Sequence, residues 1–187
     1  MIALGEHLTM KGLLAIINIK ASHNLGLSPK VQKAFPNVQP VPKVYPLLPV
    51  GLDPFWVSGF TAGEGSFSIS ITKRPKSKLG EAVTYMFTIA QHIRDYFLMC
   101  KLELFFGIGK THARVHEFRC DFIIQDLLGL DPIIAHFNIY NLNNIKSLDY
   151  MDWKLGLGII RSGAHLTRAG MDAIKAITFN INSNRIC

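Results

Sequence analysis

A chain of 187 residues with 49% hydrophobic residues has room for one large packed domain, or for a domain with a tail. Lys+Arg 20 against Asp+Glu 13 gives a net charge of +7, which points weakly to a polyanionic partner. Cys100, Cys120 and Cys187 are odd in number, widely spaced and form no CxxC pair, which argues against a disulfide framework or zinc site and suits a reducing compartment. The seven histidines also lack ligand spacing. No apolar run approaches the ~18 residues that span a bilayer, because Leu13 to Ile19 is interrupted by Asn18 and followed by Lys20, so no membrane partner is expected. The first residues carry Glu6 and no arginine, unlike a secretory or mitochondrial targeting peptide.

Residues 7–24 have helical periodicity, with Leu13, Ile16 and Ile17 on one side and Thr9 as N-cap. The pattern returns 158 residues later over 165–182. His7/His165, Leu8/Leu166, Thr9/Thr167, Gly12/Gly170, Ala15/Ala173, Ile16/Ile174, Ile19/Ile177 and Asn24/Asn182 match without a gap, which marks an internal repeat. If the second copy closes a structural unit, the first closes an earlier one whose body is absent. Between them, Pro29, Pro36, Pro40, Pro42, Pro46 and Pro49 predict an extended linker without regular helix, and Phe35, Val38, Val41 and Tyr45 let it lie on a surface. The expected division is therefore 1–26, a closing helix of a preceding half; 27–50, a Pro-rich linker; and 51–187, one domain.

That domain opens with Asp53 as N-cap and Pro54 in the first turn of a helix continued by Phe55, Trp56, Val57 and Phe60. Gly59 and Gly63 are four residues apart on one face, and each costs a helix roughly 1 kcal/mol against alanine, so the stripe predicts a second helix backbone packed against it. Gly65 is expected to end the helix in a left-handed conformation. Glu64 then stands at the negative end of the helix dipole, where a carboxylate is disfavoured by about 0.3–1 kcal/mol and a bound cation would reverse the penalty. Alone, it also reads as a solvated glutamate beside a glycine cap.

Ser66 to Thr72 alternates as a strand with one polar face, and Ala82 to Gln91 does the same, with Val83, Tyr85, Phe87 and Ile89 opposite Thr84, Met86 and Thr88. Lys73, Arg74, Lys76 and Lys78 cluster around the loop between them. A helix is predicted over Ile93 to Phe106, with Phe97, Leu98, Leu102, Leu104 and Phe105 as its apolar face and Gly107 as its stop. Lys110 to Ile124 reads as a second hairpin, with Phe118, Cys120 and Phe122 on one side and Glu117, Arg119 and Asp121 on the other. Helices follow over Asp126 to Phe137, where Asp131 would cap a new turn before Pro132, over Ser147 to Ile160, and from Thr167. Helix, two strands, helix, two strands, helices is an α+β order. A sheet whose second face is Ser, Thr and basic residues is either simply solvated or suited to a DNA major groove.

VSGFTAGEG, residues 57–65, with Trp56 before it and Ser66-Phe67 after it, resembles the nine-residue motif of the LAGLIDADG homing endonucleases. The resemblance covers 52–187 as one αββαββα half-domain with an antiparallel DNA-binding sheet and C-terminal helices, and 7–50 as the end of a preceding half. It implies that Gly59 and Gly63 form the interface with a second motif helix, from a homodimer partner or a missing N-terminal half. Glu64, at the acid position, and Gly65 would hold a divalent metal, Mg²⁺, at the scissile phosphate; Ala62 departs from the frequent acid at the sixth position, a capping or packing site. Gln91, in FTIAQHIRD, matches a polar residue that orders the attacking water, and Lys146, in HFNIYNLNNIKSLDY, matches a lysine near the phosphate, although Asn141-Leu142 replaces the family's Pro–Leu step. Recognition residues vary between members of the family, so the DNA-binding candidates are taken by position on the polar strand face and its basic loop: Ser68, Ser70, Thr72, Arg74, Lys76, Thr84, Thr88, Arg114 and Arg119. The implied function is site-specific cleavage of double-stranded DNA by an organelle-encoded, mitochondrial intron protein, or by a truncated or inactive remnant of one; the alternative on this fold is a maturase that binds intron RNA.

Overall fold

In the computed structural model, residues 2–23, 25–43 and 47–181 are described, residue 128 by its backbone alone. The repeat pair Asn24/Asn182, linker residues Tyr45 and Pro46, and Cys187 lie outside them. The chain divides into two compact units, Met1–Leu48 and Pro49–Cys187.

In the first unit a 3₁₀ turn, Glu6–Leu8, leads into helix α1, Met10–Ala21. Thr9 is the expected N-cap: its backbone is extended and its side chain accepts from the Gly12 N–H at 3.1 Å. The linker departs from expectation. Pro29–Ala34 forms a short helix, α2, because Pro29 occupies the first turn, where its missing N–H has no partner to lose, and Ser28 caps it. Further on, the Gln39 N–H donates to Asn18 Oδ1 at 3.2 Å and the Val41 N–H to the Asn18 carbonyl at 3.3 Å, so the linker does lie along a surface, that of α1.

The second unit runs α3 (Pro54–Glu64), β1 (Gly65–Lys73), β2 (Glu81–His92), α4 (Tyr96–Phe106), β3 (Lys110–Arg114), β4 (Arg119–Ile124), α5 (Asp131–Ile139), α6 (Lys146–Arg161) and α7 (Arg168–Asn180). The four strands form one antiparallel sheet in the order β1-β2-β4-β3. This is the α+β arrangement expected from the alternation of the strands. Phe67, Tyr85, Phe87, Ile89, Cys120, Phe122 and Ile124 point to one face and are buried with residues of every helix of the unit, among them Val57, Met99, Ile133, Trp153 and Ile174. Trp153 rests on Phe67 at 5.4 Å and Tyr85 at 5.9 Å between ring centroids; truncating a tryptophan so placed to alanine costs about 3–5 kcal/mol. Among the described residues, no helix is long and apolar enough to cross a membrane.

Four local expectations are corrected. Gly65 caps α3 in an extended conformation (φ −78°, ψ 156°) because the helix passes directly into β1. Its small size is needed for another reason: a Cβ there would lie 2.5 Å from Thr61 Cγ2. On α4 the buried residues are Met99, Leu102 and Phe106, which share one face at i, i+3 and i+7 and pack into the core, whereas Phe97 and Leu104 face solvent. Gly107 ends it at φ 69°, as expected. Phe118 does not share the side of Cys120 and Phe122; it occupies the β3–β4 turn at φ 51°, exposed and stacked on His92. The helix expected from residue 126 begins at Asp131, preceded by a 3₁₀ turn, and Asp131 pairs with Arg161 at 2.7 Å rather than capping.

Candidate active site and nucleic-acid interface

The last turn of α3 leaves backbone carbonyls without helical partners, and two residues from the approach to α6 satisfy them. Asn144 Nδ2 donates to the Ala62 carbonyl at 2.9 Å, and the Lys146 ammonium donates to the Gly65 carbonyl. Asn144 also accepts from the Lys146 N–H through Oδ1 at 3.1 Å, which fixes the start of α6 beside the end of α3. Lys146 and Glu64 are thus brought to the same junction, although 81 residues separate Lys146 from Gly65. Glu64 is exposed and has no partner among the described residues. Its carboxylate and the remaining lone pair of the Gly65 carbonyl are hard oxygen donors of the type Mg²⁺ takes. No group of three or more His, Cys, Asp or Glu that could hold a metal occurs among the described residues.

The two faces of α3 differ. Ser58, buried on the inner face, donates from its hydroxyl to the Tyr140 carbonyl at 2.7 Å. Its single proton is then committed, so the 3.1 Å contact with His136 is a bond from the Nε2–H to Ser58 Oγ. His136 is enclosed by Phe105, Phe106, Phe137 and Tyr140, and burial pulls its pKa down to about 4, leaving it neutral at pH 7. Ser58 thereby fastens α3 to α5. On the outer face Gly59 and Gly63 meet nothing: a Cβ on either would have no neighbour within 4 Å. Trp56 stacks on Phe60 beside that open stripe, with ring centroids 4.8 Å apart. Ala62 is half-buried against the core, which suits a packing position.

Gln91 lies at the same end of the sheet, two residues beyond Ile89, the register partner of Gly65. Its Oε1 accepts from the His92 N–H at 2.8 Å. The strand register assembles one polar face from Ser66, Ser68, Ser70 and Thr72 on β1, Thr84, Met86, Thr88 and Ala90 on β2, Arg119 and Asp121 on β4, and Lys110, His112 and Arg114 on β3. Arg74 and Lys76 belong to the β1–β2 connection at the opposite end from Gly65. All the expected interface positions except these two therefore share one face, with Ser68 donating to the Met86 carbonyl at 3.3 Å. Asn144, His112 and the pairing of Asp121 were not anticipated. His112 has the same strand parity as Arg114 and was legible on that ground; Asn144 and Asp121 act through partners distant in sequence.

The description "LAGLIDADG endonuclease" belongs to the family model that matches residues 57–156. A probable intron-encoded endonuclease 3 of Neurospora crassa is 36% identical over 173 residues, covering 91% of this chain and 32% of its own length. The crystal structure of the I-LtrWI LAGLIDADG homing endonuclease bound to target DNA superposes with a TM-score of 0.93 at 39% identity, over 99% of this chain and 62% of that one. I-SmaMI bound to uncleaved DNA in the presence of calcium ions gives 0.93 at 34% identity, over 97% and 62%. The chain thus spans about a third of the curated relative's length and under two thirds of either solved structure.

Proposed function

Because this chain belongs to the LAGLIDADG homing endonuclease family, we propose that it binds double-stranded DNA and takes part in hydrolysing its phosphodiester bonds at one specific site, with Mg²⁺ bound by Glu64 and the Gly65 carbonyl. The observation that carries the reading is the meeting of Glu64, Gly65 and Lys146 where α3 passes into β1, at one end of a polar sheet face. The bound cation would polarise the phosphate and lower the pKa of an attacking water. Lys146 supplies positive charge against the charge that builds on the phosphate oxygens. Gln91 orients the water. The lysine-rich β1–β2 connection holds DNA through phosphates, which makes binding strongly salt dependent, and Ser68, Ser70, Thr72, Thr84, Thr88, Arg114 and Arg119 face the groove. The intron-encoded character of the fungal relative supports an organelle-encoded, mitochondrial origin.

Residues 1–26 are the closing helix of a preceding half, 27–50 the connection and 51–187 the endonuclease half. The repeat of α7 in α1 and the open Gly59/Gly63 stripe support this division. The opposing motif helix, with its own acid, comes from a second copy of the chain or from a preceding half.

The test is to incubate the chain with a randomised duplex library and then with Mg²⁺. One long sequence is expected to be retained and nicked or cut, and Glu64→Gln to retain the same duplexes while cutting none. Undiminished cleavage by Glu64→Gln would remove Glu64 from the site. Retention of structured RNA in place of duplex DNA would sink the endonuclease reading. Sedimentation with the retained duplex distinguishes one copy per site from two.

A further inference from the structure

We propose that Arg119 is a specificity-determining residue that reads a guanine in the major groove of the target, and that Asp121 is the residue that positions it. The inference rests on the DNA binding proposed above and deepens it. Asp121 belongs to the polar face of the sheet, between Ala90 of β2 and His112 of β3, yet its side chain is only 1% exposed. Two guanidinium groups cover it. Arg119 Nε donates to Oδ1 at 2.6 Å, and Arg114 Nε lies 2.7 Å from Oδ2. Ala90 contributes only a methyl group beside the carboxylate, which leaves it room.

Arg114 and Arg119 are register partners on neighbouring strands, a placement in which like charges repel. The shared carboxylate offsets that repulsion; Oδ1 holds Arg119 by a hydrogen bond, while Oδ2 meets Arg114 at ion-pair distance without accepting a hydrogen bond among the described residues. The two differ in what remains free. Arg114 Nη1 also faces Glu117 at 3.6 Å. Among the described residues Arg119 is engaged only through Nε, its two terminal amino groups have no partner there, and the side chain is 49% exposed. A guanidinium held at Nε presents its end, with two parallel N–H groups, and that fork matches the N7 and O6 acceptors of guanine. Phosphate oxygens match the same fork, but contacts to them carry no sequence information, so a preference confined to one base position separates the two.

The experiment compares retained sequences from the same randomised duplex library for the wild-type chain, Arg119→Lys and Asp121→Asn, with thermal unfolding of each protein alongside. Arg119→Lys keeps the charge and loses the fork. It is expected to flatten one guanine preference by about 5- to 150-fold and leave the other preferred positions in place. Asp121→Asn is expected to weaken the preference at that same position, a base-resolved change that mere loss of stability does not produce; if it fails to fold, Arg119→Lys decides the matter. A guanine preference that survives Arg119→Lys, or an even loss across all sequences, overturns the assignment to Arg119. Full preference in a folded Asp121→Asn overturns the positioning role. If the wild-type chain retains no duplex, the DNA-binding reading fails and this one with it.

Discussion

Helices α1 and α7 are two copies of one local structure in two different settings. Each follows a left-handed glycine, Gly5 at φ 68° and Gly163 at φ 75°, and a 3₁₀ turn, Glu6–Leu8 and Ala164–Leu166. In each the capping threonine accepts from a glycine N–H at 3.1 Å and donates to a carbonyl of the turn, Thr9 to Glu6 at 2.7 Å and Thr167 to Ala164 at 2.8 Å. Gly12 and Gly170 are both needed for close approach, since a Cβ would stand 1.9 Å from the Glu6 carbonyl oxygen or 2.0 Å from that of Ala164. The surroundings do not repeat. On α7, Met171 and Ile174 are 2% and 0% exposed, whereas Leu13, the counterpart of Met171, is 38% exposed and Ile16, the counterpart of Ile174, is half-buried. Where α7 carries Lys175, paired with Glu81 at 2.7 Å, α1 carries Ile17. The cap is a property of the local sequence; the burial depends on what the helix is packed against.

The largest expected effect separates the two helices. Ile174→Ala should destabilise the Pro49–Cys187 unit by about 2–5 kcal/mol in urea unfolding, as deletion of a buried branched side chain does. Ile16→Ala should cost well under half as much. If the proposed preceding half packs on α1 as this unit packs on α7, adding that half should raise the Ile16→Ala cost towards the Ile174→Ala value. An unchanged cost in a demonstrated complex would break the analogy.

The second effect is acid sensitivity of the unit that carries α7. His136 is held at about 4 by burial, below the ordinary value of 6.5. The unfolded chain therefore takes up this proton first as pH falls. The stability contribution is complete above about pH 6.5 and lost progressively down to pH 4, amounting to about 2–3 kcal/mol. Urea midpoints measured across that window should fall steadily in the wild type and flatten in His136→Gln. Equal slopes would show that His136 is not the group responsible.

The two caps should give the closest agreement. Thr9→Ala and Thr167→Ala each remove the same pair of hydrogen bonds, for about 1 kcal/mol, so hydrogen exchange at the first turn of each helix should accelerate by a similar factor. A much larger effect at Thr167 would mean that the cap of α7 also supports the packing of the whole unit.

The smallest effect belongs to Lys175. Its hydrogen bond to Glu81 is the main cause holding that carboxyl below its usual range, with the charges of Lys175 and Arg168 adding to it, so the contribution is present above pH 4.5 and lost on acidification through the lowered value. In Lys175→Met, carbon-13 NMR titration should find Glu81 returned towards an ordinary carboxyl, with little change in the urea midpoint; a titration curve that does not move would assign the shift to another neighbour.

Much of this molecule was legible in local patterns. Strand alternation in Ser66–Thr72 and Ala82–Gln91, the Asp53-Pro54 helix start, the threonine caps and the 158-residue repeat all depend on contacts within a few residues, so the sequence alone determined them, together with the resemblance carried by VSGFTAGEG. Where the reading failed, local cues competed. The linker prolines concealed a helix because Pro29 fits a first turn, and the alternation through Phe118 concealed a left-handed turn residue. Candidate site residues could be named from the sequence, but not how they are arranged. Lys146 reaches the Gly65 carbonyl and Asn144 that of Ala62 across about 80 residues of chain, and Asp121 is covered by arginines from two strands. Only the tertiary structure decided those contacts, because the register of the sheet and the docking of α6 against the end of α3 bring the partners together. It also decided which copy of the repeated helix is buried, since hydrophobic burial belongs to the pair of surfaces and not to either sequence alone.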